Sequence, residues 1–369
     1  MSPRKKNMGR VKHYRHSFYS GPQRIRRAAV VLVVLLVLFA VGWIIGPHVI
    51  DFGTRTWYSI RRGGEEASSS SQSQQAMVPE SQPESVPEPT PEPTPVPAQV
   101  QDGKWSLVSM SGVDTPEKAA ATAQQMAEQG VRYAVMTLKD EQGYIYYASS
   151  LPGAAQSVAA TTFDAAAAAE AFRAAGVEPV AQICTFRDPK APYADRTMGI
   201  HYQDSDYFWL DAAGDAGGKP WLDPYSGSAI VFVNGLIQEA RTMGFEQIIL
   251  TGLQFPFTDG SNATYQVQNG ESKPACLALL ISGWQAEAEA EGGVLWVEYS
   301  LAQAAGKQPA SLGGGTLDQL GVQHLVIRTN PEEDPAVQEE LLAAARAAAA
   351  AGGAEHVVLR QGNEAHFDA

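Results

Sequence analysis

Cysteine is scarce in this chain. Its 369 residues include only Cys184 and Cys276, so at most one disulfide can form. The two could pair outside the cytoplasm, where disulfides persist. However, Cys184 falls in a strand-like run and Cys276 in a helix-like one, and both positions suit a small buried apolar side chain. We therefore expect two buried thiols in preference to a disulfide, although the sequence leaves the pairing open.

Three signatures of cofactor or nucleophile chemistry are also missing. The seven histidines are scattered along the chain without the spacing of metal ligands. The segment "GGGT" at 313–316 lacks the preceding strand and following helix of a phosphate-binding loop. No serine or cysteine sits in a nucleophile elbow. The sequence therefore predicts no metal site and no cofactor.

Basic clusters are confined to the N-terminus. Residues 1–27 carry nine Lys and Arg and no acid. The whole chain nevertheless has a formal net charge of −13, so the remainder is strongly acidic. Nucleic-acid binding demands clustered Lys and Arg that face the phosphates. An acidic domain is thus a poor candidate for binding nucleic acid, and also for lying flat on an anionic membrane.

An apolar run over residues 28–50 follows the basic segment and includes "VVLVVLLVLFAVGWII". About 20 apolar residues span a bilayer, and Lys and Arg concentrate on its cytoplasmic side. The run is longer than the apolar core of a cleaved signal peptide, and no clear small-residue cleavage site follows it. The sequence predicts a basic cytoplasmic tail (1–27) and one transmembrane helix (28–50), with a cleaved signal peptide as the alternative.

A linker connects this helix to the rest of the chain. Residues 63–102 hold eight prolines, seven acids and no base. Such a segment buries too little apolar surface to offset chain entropy, and its prolines favour extended polyproline geometry. We expect residues 51–102 to be a juxtamembrane segment and a disordered stalk. Residues 103–369 are then one extracytoplasmic domain held at the cell membrane.

Residues 103–369 alternate between short apolar runs and amphipathic, Ala-rich segments, which is typical of repeated βα units around a parallel sheet. Seven strands are predicted, at 104–110, 132–138, 178–186, 246–252, 293–300, 322–329 and 355–361. Five helices are predicted, at 115–129, 163–175, 227–243, 272–291 and 334–351. The count favours an α/β fold of the TIM type, a (β/α) barrel whose eighth strand is cryptic or missing. A doubly wound open sheet is the alternative.

Three stretches of this domain form an ordered series of motifs: "VMTLKDEQGYIYYAS", "EPVAQICTFRDP" and "WLDPYSGSAIVFVNGLIQEARTMGFEQIILTGLQFP". They give Lys-Asp after the second strand, Arg-Asp-Pro after the third, Trp-x-Asp-Pro-Tyr before a helix, and a strand that ends in Phe-Pro. This series resembles a bacterial family of glycoside hydrolase-like domains with a TIM-barrel fold, related to the amylase-like hydrolases. The resemblance covers roughly residues 104–300.

The resemblance also exposes a departure. In that family the fourth strand typically ends F-D-Y-I-R-F-P, whereas residues 250–256 read L-T-G-L-Q-F-P, so Thr251 replaces the acid and Gln254 the Arg. On the second and third strands Thr137 and Gln182 stand at positions that are charged in the family. An Arg buried without its carboxylate is a costly unpaired charge, so acid and base are expected to be lost together. The comparison implies a divergent, catalytically degenerate member.

Some acids remain near the presumed strand ends. Glycosidases usually need two carboxylates, and Glu298 in "LWVEYS" is the best candidate for a general acid, with Asp140 or Asp188 as its partner if activity remains. The alternative for Glu298 is a structural Glu satisfied by a base such as Arg328. The candidate ligand-binding residues are Lys139, Arg187, Trp221, Asp223, Tyr225, Thr251, Gln254 and Arg328.

Aromatic residues are concentrated before the third predicted helix. In "WLDPY" we expect Asp223 to cap the helix that starts near Ser226, and Trp221 and Tyr225 to cover the barrel mouth. The alternative is an aromatic platform for sugar rings. The preceding loop could extend such a platform or pack as its own cluster, through Tyr193, Tyr202, Tyr207, Phe208 and Trp209.

Three functions are compatible with these features. The favoured one is a membrane-anchored glycoside hydrolase-like barrel without catalytic activity that binds a glycan or a cell-envelope partner. The first alternative is an active glycoside hydrolase, acting on cell-wall or extracellular polysaccharide with a relocated carboxylate pair. The second is a structural, protein-binding module of the envelope, with its barrel mouth plugged by side chains.

Overall fold

The computed structural model describes residues 100–257, 262–267, 269–330 and 334–367. The predicted cytoplasmic tail (1–27), the transmembrane helix (28–50) and nearly all of the linker (51–102) lie outside these residues. Within the described part, no helix is both long enough and apolar enough to cross a membrane. All described strands and helices belong to the predicted domain, residues 103–369.

Eight strands close into one barrel. They are β1 (Lys104–Leu107), β2 (Val131–Lys139), β3 (Glu178–Cys184), β5 (Gln247–Thr251), β7 (Val294–Ser300), β8 (His324–Thr329), β9 (His356–Gln361) and β10 (Glu364–Phe367). Two short strands, β4 (His201–Tyr202) and β6 (Ala263–Thr264), pair with each other in a separate sheet. All seven predicted strands are therefore confirmed, with differences only at their ends.

The eighth barrel strand is the main departure from the predicted topology. Going around the barrel, the order is β1, β2, β3, β5, β7, β8, β9 and β10, and the first seven strands are parallel. β10 runs antiparallel to both of its neighbours, β9 and β1. A tight turn at Gly362, whose φ is +60°, joins β9 to β10 without a helix. The barrel is thus complete and mixed. Its eighth strand was cryptic in the sequence and is not missing, and the alternative of an open sheet was wrong.

The helices lie outside the barrel. They are α1 (Pro116–Glu128), α2 (Ala165–Ala174), α3 (Ala191–Ala194), α4 (Gly227–Thr242), α5 (Lys273–Ala290), α6 (Leu301–Ala304) and α7 (Pro335–Ala351). Short 3₁₀ turns occur at Met110–Gly112, Ala154–Gln156, Arg196–Met198, Gly214–Ala216, Pro309–Leu312 and Leu317–Gln319. The five predicted helices are confirmed, and the Thr115 hydroxyl accepts from the Lys118 amide as an N-cap, with Pro116 in the first position.

Alternate residues of all eight strands fill the inside of the barrel. The interior core consists of Trp105, Tyr133, Val135, Val180, Ile249, Val294, Trp296, Val326, Val358 and Ala365. Trp105 stacks on Tyr133 with ring centroids 4.4 Å apart and meets the edge of Trp296 at 5.1 Å. The barrel is therefore a packed core and not a pore, and a ligand can approach only at one of its two ends.

Candidate functional site

The C-terminal ends of the seven parallel strands form the barrel mouth, where barrels of this type carry their active sites. Side chains alternate between the two faces of a strand, so a residue two positions beyond an interior core residue also points inward. Seven side chains meet this condition at the mouth: the apolar Leu107 and six polar or charged ones. We call the six the mouth layer: Thr137, Gln182, Thr251, Glu298, Arg328 and Arg360. Three of the four residues predicted to be neutral replacements lie in this layer.

Arg360 crosses the mouth layer. Its Nη1 donates to Glu298 Oε2 at 2.5 Å and to Gln182 Oε1 at 2.8 Å. The strands β9 and β3, which carry Arg360 and Gln182, lie on opposite sides of the barrel. The guanidinium group therefore bridges the barrel axis, and with only 12% of its side chain exposed it closes the centre of the mouth.

Glu298 is held between two guanidinium groups. The predicted neighbouring base is in place, because Arg328 Nε lies 3.3 Å from Glu298 Oε1. Arg360, which the sequence did not suggest, takes the other oxygen. A general acid must present a transferable proton to its substrate, whereas both oxygens of Glu298 face N–H donors. This arrangement favours a structural Glu298 over a catalytic one.

A sharp turn follows Thr251 at the end of β5. Gly252 has a φ of +63°, and a Cβ at this position would lie 2.8 Å from Cys184 Sγ, so both the backbone conformation and the close approach require glycine. Beyond the turn, the Gln254 side chain is buried and accepts from Gln303 Nε2 at 2.7 Å. The side-chain oxygen of Gln254 therefore accepts a hydrogen bond from a buried amide and is not accessible to a ligand.

Lys139 and Asp188 form a fully buried ion pair. Lys139 Nζ lies 3.0 Å from Asp188 Oδ2, and both side chains have no exposed surface. Lys139 Nζ also donates to the Cys184 carbonyl oxygen at 2.6 Å, while Asp188 Oδ1 accepts from the amides of Lys190 and Ala191. The Lys-Asp and Arg-Asp-Pro motifs thus interact through the Lys of one and the Asp of the other. Neither group is exposed to a substrate, so their placement favours a role in holding β2 and β3 together.

Asp140 and Arg187 lie in the loops beyond β2 and β3. Both oxygens of Asp140 are engaged: Oδ1 accepts from the amides of Gln142 and Tyr144, and Oδ2 accepts from the Tyr146 hydroxyl. Arg187 pairs with Glu141 at 2.6 Å, with 41% of its side chain exposed. Asp140 therefore shapes its own loop, and Arg187 is the motif residue that remains accessible.

The two aromatic residues of the "WLDPY" segment are buried. Trp221 is 2% exposed and donates from Nε1 to Asp211 Oδ2, and Tyr225 is 5% exposed and donates to the Glu271 carbonyl oxygen. Their rings offer no open face for a sugar, so their burial fits the predicted covering role better than the platform.

Asp223, in the same segment, is not the helix cap that the sequence predicts. Ser226 caps α4, with its hydroxyl accepting from the Ala229 amide. Asp223 Oδ1 accepts from the Tyr225 amide at 3.0 Å, and Oδ2 accepts from the Gln266 amide at 2.7 Å. The buried carboxylate therefore ties the β3–α4 connection to the loop that follows β5.

The aromatic loop between β3 and α4 divides into an anchored part and an exposed part. Phe208 and Trp209 are buried, and Phe208 packs edge-to-face against Tyr193 at 5.1 Å. Tyr193 and Tyr207 are 58% and 79% exposed. The loop therefore packs its own aromatic cluster, as one of the two sequence alternatives expects, and it also presents two tyrosines to solvent. The sugar platform stays a prediction.

Family membership rests on the part of the chain that carries these motifs. Residues 107–291 match the sequence profile of the family described as "Putative glycosyl hydrolase domain". This range is half of the 369 residues. The chain belongs to this family. No curated protein matches the chain.

Several solved structures align with parts of this chain. A hypothetical protein from Ruminiclostridium thermocellum is 17% identical over 52% of this chain and 96% of its own, with a TM-score of 0.43. The cycloisomaltooligosaccharide glucanotransferase of Paenibacillus sp. is 14% identical over 70% of this chain and 38% of its own, with a TM-score of 0.49. The PgaB (BpsB) glycoside hydrolase domain of Bordetella bronchiseptica is 11% identical over 71% of this chain and 84% of its own, also at 0.49.

The family match divides the mouth into two parts. Lys139, Asp188 and Asp223 lie inside the matched range, whereas Glu298, Arg328 and Arg360 follow it. The buried ion pair thus belongs to the family-like part of the barrel, and the Glu298 network to the part that the family's profile does not cover.

Sequence reasoning missed Arg360, although a signal was present. The segments "HLVIR" (324–328) and "HVVLR" (356–360) carry the same His-x-x-x-Arg pattern on consecutive strands. When two neighbouring parallel strands carry the same pattern, residues of the same type lie side by side. The structure pairs His324 with His356 and Arg328 with Arg360. The repeat therefore puts two arginines at the mouth and two histidines at the opposite end.

Both cysteines are free and buried, as the sequence led us to expect. Burial raises the pKa of the Cys184 thiol to about 11 and that of the Cys276 thiol to about 12. Thiols with such pKa values stay protonated at neutral pH, so neither is a nucleophile.

Asp223 makes folding stability depend on pH. Burial raises its pKa from 3.8 to about 6, although the amides of Gln266 and Tyr225 and the charge of Lys273 lower it. Its stabilising contribution is therefore complete below about pH 4 and is lost as the pH rises through about 6. The two-unit difference corresponds to about 3 kcal/mol.

We therefore predict that the wild type loses about 2–3 kcal/mol relative to Asp223→Asn between pH 4 and pH 7. Urea unfolding of both proteins at each pH measures this. Any hydrogen bond that Asp223→Asn loses lowers the free energy of unfolding equally at both pH values. It therefore cancels when the change between pH 4 and pH 7 is compared for the two proteins. Parallel pH profiles of the two proteins would contradict the prediction.

Proposed function

We propose that this chain is a membrane-anchored, extracytoplasmic member of its family that no longer hydrolyses glycosides and binds a glycan or a cell-envelope partner. The observation that carries the proposal is the Arg360 bridge across the mouth layer. Its guanidinium occupies Glu298 and reaches Gln182 on the opposite strand. The best remaining candidate for a general acid, Glu298, is thus held in an internal ion pair.

The shortage of available acids supports the loss of catalysis. Retaining and inverting hydrolases hold two carboxylates about 5 to 9.5 Å apart, on either side of the scissile bond. In the described mouth layer Glu298 is the one acid, and the other acid candidates are engaged elsewhere: Asp188 with Lys139, and Asp140 within its own loop. An enzyme that used Glu298 together with Asp140 or Asp188 would have to break one of these arrangements on binding its substrate.

The surface around the mouth supports ligand binding above the closed centre. Arg328 keeps 57% of its side chain exposed while it touches Glu298, so part of its guanidinium group is available. Tyr193 and Tyr207 project from the loop that leaves β3, on the same face of the barrel. Sugar rings stack their C–H faces on such rings, and hydroxyl or carboxylate groups of a glycan can accept from arginine.

The proposed location rests on the N-terminal sequence. The basic segment, the apolar run 28–50 and the proline-rich linker together suit a single-pass anchor with its C-terminal domain outside the cell. The bridge across the mouth also favours one competing function, the structural module that binds an envelope protein, because a plugged mouth is what that function predicts.

Glycan binding and turnover are measured together on the detergent-solubilised full chain, with neutral, amino and acidic glycans of walls and storage polymers. We expect retention of at least one class without release of reducing ends, by the wild type and also by Thr251→Asp. One restored acid lacks the partner that hydrolysis requires. Turnover that is lost in Glu298→Gln would instead establish the active hydrolase.

The exposed tyrosines provide the binding test. Tyr193→Ser combined with Tyr207→Ser should weaken glycan binding on the order of tenfold, which is about 1.4 kcal/mol. The matched control is Leu279→Ser, which removes an apolar side chain that is 56% exposed on the outer helix α5. Equal weakening by the control, or no glycan binding at all, would favour the protein-binding module.

A further inference from the structure

Two histidines meet at the end of the barrel opposite the mouth. His324 begins β8 and His356 begins β9, and the two residues are direct partners in the parallel ladder. Their Nδ1 atoms lie 3.2 Å apart. A third group, the carboxylate of Glu355, lies close enough that one ligand atom from each residue falls within 4.8 Å of the others.

The protein holds this group in place from several sides. The His324 ring packs on Trp296 with centroids 5.2 Å apart, and the two imidazole rings lie 5.2 Å from each other. The Gln323 carbonyl oxygen accepts from the amides of both Glu355 and His356, which fixes the start of β9 against the start of β8. Both histidines are half-buried, so water can still reach them.

We propose that His324, His356 and Glu355 form a binding site for a divalent transition metal of the zinc class. Zn–N distances of about 2.0–2.1 Å in a tetrahedral site place two ligand nitrogens about 3.3 Å apart. The observed separation of 3.2 Å matches this spacing. The Glu355 side chain is exposed, and one of its carboxylate oxygens lies within 4.8 Å of the ligand nitrogens of both histidines. Water from the solvent fills the remaining coordination position.

The chemistry of the site agrees with that assignment. Neutral imidazole is a preferred ligand of zinc, nickel and copper. The site lies at the strand starts, away from the mouth layer, and an ion there joins two adjacent strands. The proposed metal site therefore has a structural role, since it links the starts of β8 and β9. This role does not depend on whether the mouth is catalytic.

Zinc uptake by the full chain tests the proposal. The chain is purified in detergent without a histidine tag, stripped with a chelator, and titrated with Zn²⁺ by calorimetry. We expect one more zinc per wild-type chain than in the double variant His324→Gln/His356→Gln, which corrects for His13 and His16 of the tail. Each single variant should bind at least tenfold more weakly. Zinc at 100 times its Kd should raise the Tm of the wild type on the order of 5 °C.

His366→Gln is the matched control, because His366 lies on β10 outside the three-residue group. It should bind zinc like the wild type. A direct hydrogen bond between the two rings also uses a distance of 3.2 Å. That explanation stands if the wild type takes up no more zinc than the double variant. Co²⁺ loading of the wild type gives a second measurement that needs no variant, and absence of the visible absorption of a tetrahedral cobalt site would also overturn the proposal.

Discussion

Lys139→Met is expected to destabilise the domain by about 3–5 kcal/mol, because it leaves the Asp188 carboxylate buried without its counter-charge. Neither member of the pair has exposed surface, and Lys139 also donates to the Cys184 carbonyl oxygen. Urea unfolding at neutral pH measures the loss as a lower midpoint with an unchanged slope.

Two comparisons separate charge burial from lost packing. Asp188→Asn, added to Lys139→Met, keeps an oxygen for the amides of Lys190 and Ala191 and removes the charge, so more than half of the stability should return. Arg187→Met breaks the neighbouring pair with Glu141, which is 41% and 52% exposed, and should cost less than about 1 kcal/mol. If the double variant is as unstable as the single one, the unpaired charge is not the cause.

Arg360→Met should cost about 2–4 kcal/mol of folding stability, because Glu298 then loses its closer partner and Gln182 loses its donor. The expected cost is below that of Lys139→Met, since Arg328 still lies 3.3 Å from Glu298. The same variant removes the bridge across the mouth layer and opens its centre to solvent. Unfolding midpoints in urea again give the magnitude.

Arg328→Met is the matched control on the neighbouring strand. This arginine is 57% exposed, so its loss should change stability by less than about 1 kcal/mol. Glu298→Gln in the Arg360→Met background removes the charge left behind and should restore part of the stability. Equal losses from the two arginine variants would show that Arg360 does not dominate the network.

The strands and helices of this domain were predictable because each carries its own local signal. Short stretches of sequence show the spacing of apolar residues that marks a strand or a helix. They also show helix caps, such as Thr115 before Pro116. The strand β10 carries no comparable signal. It has four residues, and a parallel barrel predicts a helix before the last strand, not the tight turn at Gly362.

The mouth network was only half predictable. Arg328 was expected near Glu298 because the two residues end consecutive predicted strands. The contact between Gln182 and Arg360 joins residues 178 positions apart and depends on which strands face each other across the closed barrel. Which strands face each other follows from the strand register of the closed barrel, and the sequence alone does not give that register. The family match does not help, because it ends at residue 291, before Glu298.

The antiparallel course of β10 has a mechanical consequence. β1 starts at the end of the barrel opposite the mouth, and β10 finishes at that same end. β1 is hydrogen-bonded on both sides, to β2 and β10. A pull along β1 must therefore shear two ladders together. Closing the barrel through β10 therefore strengthens the attachment of its first strand.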